Sequence, residues 1–137
     1  MTILKNTLAV LIGLIIGGLV NSVIINLSDA IITPPIGVDV KTLEGLKAGI
    51  HLFEPKHFLF PFIAHAMGTF IGAILTTIIA FTHKLKFAMS IGVVFLMAGI
   101  ANVMMIPAPI WFNIIDLAFA YMPMAFLAYK LAYKNKP

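Results

Sequence analysis

A histidine and an aspartate interrupt runs that are otherwise apolar: His65 within Phe-Ile-Ala-His-Ala-Met-Gly and Asp116 within Asn-Ile-Ile-Asp-Leu-Ala. An imidazole held beside a carboxylate can carry a proton, bind a ligand, or act as a base oriented by its acid. Asn21 and Asn102 occupy comparable places in two further apolar runs. A charged side chain in a membrane span costs about 2.5–3.5 kcal/mol on insertion scales, so such groups pair and often serve function. His65 is therefore expected to meet Asp116, with Asn21 and Asn102 completing a polar ring that is a candidate ligand- or proton-binding site. The plainer alternative is a hydrogen-bonded pair that only fixes helix register.

His51-x-x-Glu54-x-x-His57 offers nitrogen and oxygen donors as a weaker candidate metal set. Pro55 breaks the helix that would align the three, and no His-Glu-x-x-His is present. No metal or other cofactor is expected. With no cysteine and no serine in a recognisable nucleophile motif, catalysis by His65 ranks behind a binding role.

These side chains need a frame, and composition names it. Of the 137 residues 61% are hydrophobic and 10% charged, against roughly 45–50% apolar in soluble domains. So much hydrocarbon in one domain must face lipid. Four runs, near 8–27, 58–81, 87–106 and 110–129, are each long enough for a bilayer core, which takes about 20 residues. The expectation is an all-α, polytopic membrane protein: a single domain over 1–137 with four transmembrane helices. An exterior segment over about 28–57 carries a short amphipathic helix, capped by Thr42 and bearing Leu43, Leu46, Ile50 and Phe53 at helical spacing.

The net charge of +4 does not point to nucleic acid. Lys5, Lys84, Lys86, Lys130, Lys134 and Lys136 flank the apolar runs, whereas the 28–57 segment holds Asp29, Asp39, Glu44 and Glu54 with three lysines, Lys41, Lys47 and Lys56. The positive-inside rule then puts both termini in the cytoplasm.

In lipid, helices associate through small residues and interhelical hydrogen bonds. Gly13 and Gly17, Gly68 and Gly72, and Gly92 and Gly99 mark packing stripes on the first three spans, each beside one polar side chain. Ala118, Tyr121, Ala125, Ala128 and Ala132 share a face of the fourth span. On a continuous helix that face turns away from Asp116, which is two residues and about 200° from Ala118. It is expected to meet a second subunit or another membrane protein. At about 1.5 Å per residue, His65, Asp116, Asn21 and Asn102 all lie roughly 6–10 Å below the outer surface.

Pro-Ile-Gly-Val-Asp (35–39), Pro-Phe-Ile-Ala-His-Ala-Met-Gly (61–68) and Asp-Leu-Ala-Phe-Ala-Tyr-Met-Pro (116–123) resemble a family of small, hypothetical four-span bacterial membrane proteins. The resemblance implies a bacterial inner-membrane location and no activity. The functional expectation is a non-enzymatic accessory protein or subunit of a membrane complex, in contact with lipid and with its own copies or other subunits. The alternatives are a small oligomeric carrier or channel with a shallow exterior site at His65 and Asp116, and last an enzyme using His65.

Overall fold

The computed structural model describes residues 1–134; Lys136, one of the flanking lysines, lies outside them. The regular structure of the described residues is all helical, 82% helix with no strand: α1 (Thr2–Ile31), α2 (Leu43–Gly49), α3 (Leu59–Ile79), α4 (Lys84–Met105), α5 (Ile110–Phe119) and α6 (Met122–Lys134). Four segments are long and apolar enough to cross a membrane: Thr2–Ile31, Pro55–Ile79, Lys84–Met105 and Ile110–Lys134. Exposed Ile15, Leu19, Met97 and Ile114 on their outer faces are apolar surface suited to acyl chains.

α1 is longer than its apolar run. Its 30 residues span about 45 Å at the α-helical rise, well beyond a hydrocarbon core of ~30 Å. Nothing after position 27 breaks the helix until Pro34, which disfavours helical geometry at Thr33, so Ser28 and Asp29, expected in the connecting segment, stay helical and α1 ends at Ile31. At the other end Asn6 is buried and works as a staple. Its Nδ2 donates to Thr82 Oγ1 (2.9 Å), and its Oδ1 accepts from the Phe81 N–H (2.8 Å).

α3 is the central helix, packed on α1, α4 and α6. Its glycines set the closest crossing. A Cβ on Gly17 would come within 2.5 Å of the Gly68 carbonyl oxygen, and one on Gly72 within 2.6 Å of that of Gly13. Any side chain there would hold the two backbones apart. Thr76 adds an interhelical bond, its hydroxyl donating to the Ala9 carbonyl at 3.2 Å. The turn into α4 places His83 in the left-handed region (φ 46°). Lys84 donates to the carbonyls of Thr77 and Ala80, where the negative end of the α3 dipole favours a cation.

The fourth span is not one helix. α5 ends at Phe119 and α6 begins at Met122. Pro123 lacks an N–H and its ring clashes with the carbonyl four residues back, so the ladder cannot run through unbroken. The interruption changes the phase of the two halves. Asp116 on α5 and Ala125 and Ala128 on α6 all face the interior of the same bundle. Ala125 and Ala128 pack with Ala73, Ala88 and Ile91, Ala118 is exposed and Ala132 half-buried. The expected continuous alanine face for a partner therefore does not exist.

Between α1 and α3 the chain forms a cap. Thr42 Oγ1 accepts from the Gly45 N–H (3.1 Å) and starts α2. Asp39 supports this start, accepting from the Thr42 hydroxyl (2.8 Å) and the Lys41 N–H (2.9 Å). After Gly49 the helix tightens into a 3₁₀ turn, Ile50–Leu52, and a second such turn, Pro55–Phe58, leads into α3. Ile50, Phe58 and Phe112 form a small core under the cap, joined by Phe53. Phe58 thus sits in this core, 4% exposed, while the neighbouring Trp111 is 44% exposed.

Candidate functional site

His65 lies one turn before Gly68 on α3, so the packing that draws α1 against the glycines leaves the imidazole beside them. Asp116 sits in the last turn of α5. Its Oδ1 accepts from His65 Nδ1 at 2.8 Å. The side chain of Asp116 is 5% exposed and that of His65 18%. Tyr121 donates its hydroxyl to Asp116 Oδ2 at 2.9 Å, and its ring stacks on the imidazole with centroids 5.8 Å apart. Both carboxylate oxygens are satisfied by donors, which is the condition for holding a buried charge.

Tyr121 is the member sequence reasoning missed. On a continuous helix a residue five positions on is about 140° round and cannot reach back. The break between α5 and α6 brings it round, and Pro123 was the available signal. A Cβ on Gly99 would lie 2.6 Å from the Tyr121 hydroxyl oxygen. Gly99 is small because the phenol occupies that space.

The two asparagines do not close a ring. Neither Asn21 nor Asn102 bonds to His65 or Asp116; instead both line the same cavities as His65. Asn21 Oδ1 is buried without a donor. Such an orphaned acceptor costs about 1–3 kcal/mol in a protein interior.

The candidate metal residues are also separated in role. The Glu54 N–H donates to His57 Nδ1 at 2.9 Å, and His57 Nε2 lies 3.2 Å from the Thr33 carbonyl oxygen. An Nδ1 that accepts leaves the proton on Nε2, so His57 clamps the start of α3 to the linker after α1. Glu54 pairs with Lys56 at 3.3 Å on the surface. Among the described residues no three His, Asp or Glu side chains converge as a ligand set.

Above the pair opens a cavity of about 730 Å³, walled by α1, α4, α5 and the cap. Its floor holds His65, Asp116, Asn21 and Asn102, and its rim holds Asp29 and Lys41. The upper walls are mostly apolar, with Phe53, Phe58, Phe60 and Phe112 among them. Apolar walls with a few convergent polar groups are the usual form of a small-molecule site.

No protein-family model, curated protein or solved structure matches the chain. The site's own geometry therefore carries the functional argument.

Proposed function

We propose that the protein is a membrane-embedded, non-enzymatic binding protein or carrier, whose ligand enters the capped vestibule and is held at the His65–Asp116–Tyr121 cluster. The observation that carries this reading is the position of that cluster at the floor of a 730 Å³ cavity. A pair needed only for register has no use for a vestibule above it. The reading as an accessory subunit loses its support, because two of the alanines meant for a partner are spent on packing within the chain.

For a bacterial inner membrane, which the resemblance implies, the lysine distribution supports one orientation. Lys5, Lys84, Lys86, Lys130 and Lys134 belong to the end with the termini and the α3–α4 turn, against Lys41, Lys47 and Lys56 with four acids in the 28–57 segment. With both termini cytoplasmic, the vestibule faces the exterior.

Retention of the native ligand tests the reading. Full-length protein from membranes, released from nanodiscs into a native mass spectrometer, is expected to carry a non-protein adduct. His65→Ala should lose it, while His51→Ala, at an exposed position outside the cavity lining, should keep it. An adduct-free wild type, or equal adducts in wild type and His65→Ala, overturns the proposal.

A further inference from the structure

The vestibule has a second way in. A smaller cavity of about 170 Å³ runs between α1, α3 and α4, and it shares Asn21, His65, Gly99 and Asn102 with the larger one. Both of its flanks are sparsely filled. Nothing lies within 4 Å of where a Gly18 side chain would begin, and Ala98 and Asn102 of α4 are exposed along it. The floor reached from beneath the cap is thus also reached from the side, between two helices whose outer faces are apolar.

Among the described residues, the charged side chains of the lining besides the His65–Asp116 pair are Asp29 and Lys41, both at the rim, and the floor sets one carboxylate, Asp116, among the amides of Asn21 and Asn102. Asn21 Oδ1 is a buried acceptor with no donor. His65 turns its Nδ1 to Asp116 and its Nε2 away from that carboxylate, and no hydrogen bond to Nε2 exists among the described residues. A carboxylate with no lysine beside it, and amide oxygens as further acceptors, suit a head group rich in N–H donors. A primary ammonium has three donors and no acceptor. A carboxylate or phosphate head would place its oxygens against those acceptors and beside Asp116.

From this, and resting on the reading that the vestibule binds a ligand, we infer that the site takes the ammonium head of a membrane-dissolved amphiphile, a long-chain primary amine. The head sits among Asn21, His65 and Asp116, and the tail lies in the groove between α1 and α4 along Gly18 and Phe95.

The test uses full-length, histidine-labelled protein in phosphatidylcholine nanodiscs, with the His65 ring signals followed by NMR. Dodecylamine is expected to shift them saturably, with dodecanol and laurate failing to displace it at tenfold excess. Asp116→Asn should weaken dodecylamine at least tenfold. Gly18→Leu fills open space and should fold, yet weaken the amine by a similar factor. Asn21→Asp adds a second carboxylate to the floor and should tighten the amine several-fold, a change opposite in sign to damage from misfolding.

Shifts of equal strength from laurate or dodecanol overturn the ammonium assignment. Methylamine binding as tightly as dodecylamine overturns the lateral groove. Silence from every amine, in protein that still retains a native adduct dependent on His65, overturns this inference and leaves the binding reading standing.

Discussion

Asp116 is bonded from two directions, and the two bonds do different work. The His65 bond crosses from α3 to α5, whereas the Tyr121 bond spans the interruption between α5 and α6. Interhelical side-chain bonds in membranes average about 0.6 kcal/mol, with a maximum near ~1.7. Tyr121→Phe is therefore expected to lower unfolding stability by about 0.5–1.5 kcal/mol in an SDS titration, with the His65 ring signal displaced because its stacking partner loses its anchor. An unchanged His65 signal would show that the phenol does not position the imidazole. Asp39, far from this pair on the exposed cap, titrates by a simpler rule. Its carboxylate is held below its usual range by the Lys41 N–H and the Thr42 hydroxyl. A depressed native pKa gives stability that is complete above the unfolded carboxylate range and lost as pH falls through the lower native value. The protection factor of the Gly45 amide, whose N–H depends on Thr42, should fall at that acidic end and stay constant between pH 6 and 8. Asp39→Asn should remove most of that pH dependence.

At the scale of helices, the α1–α3 crossing and the broken fourth span decide the rest. The crossing rests on backbone contact, so its glycines are unequal in consequence. Gly72→Val puts a branched side chain where even a Cβ lies 2.6 Å from the Gly13 carbonyl oxygen. Overpacking costs about 1–3 kcal/mol or more, and the same SDS titration should show at least that loss. Gly18→Ala, one residue past Gly17 but facing open space, should be neutral or stabilising by up to about 1 kcal/mol from helix propensity. Equal effects at the two sites would contradict the packing. The glycines and the polar residues beside them were readable from their three- and four-residue spacing. Tyr121 was not, because helical periodicity assumes a continuous helix and Pro123 ends that continuity. The alanine face is affected by the same break: Ala118 lies on α5 and the other three alanines on α6, where Ala125 and Ala128 pack inward on Ala73, Ala88 and Ile91.

For the whole molecule, charge distribution and shape make a joint prediction about sidedness. The chain has no cysteine, so single cysteines report cleanly. Lys47→Cys on the cap should react with a membrane-impermeant maleimide in intact cells, and Lys86→Cys at the α3–α4 turn only after permeabilisation. The reverse pattern would turn the vestibule toward the cytoplasm and change which compartment supplies its ligand. Lys47 and Lys86 lie on exposed parts of α2 and α4, so neither change disturbs the core.

The amino-acid order alone determined the four long apolar spans, the glycine stripes that bring α1 onto α3, and the capped segment between them. Those follow from local periodicity and from the length of chain needed to cross lipid, which neighbouring residues encode directly. Tertiary structure decided the rest: that Tyr121 and not an asparagine completes the His65–Asp116 pair, that Asn21 keeps an unpartnered oxygen, that His57 clamps the cap, and that space remains above and beside the floor. Each of these depends on where one helix stops and how two others diverge. Such quantities arise from backbone geometry across the bundle, and no single stretch of sequence carries them.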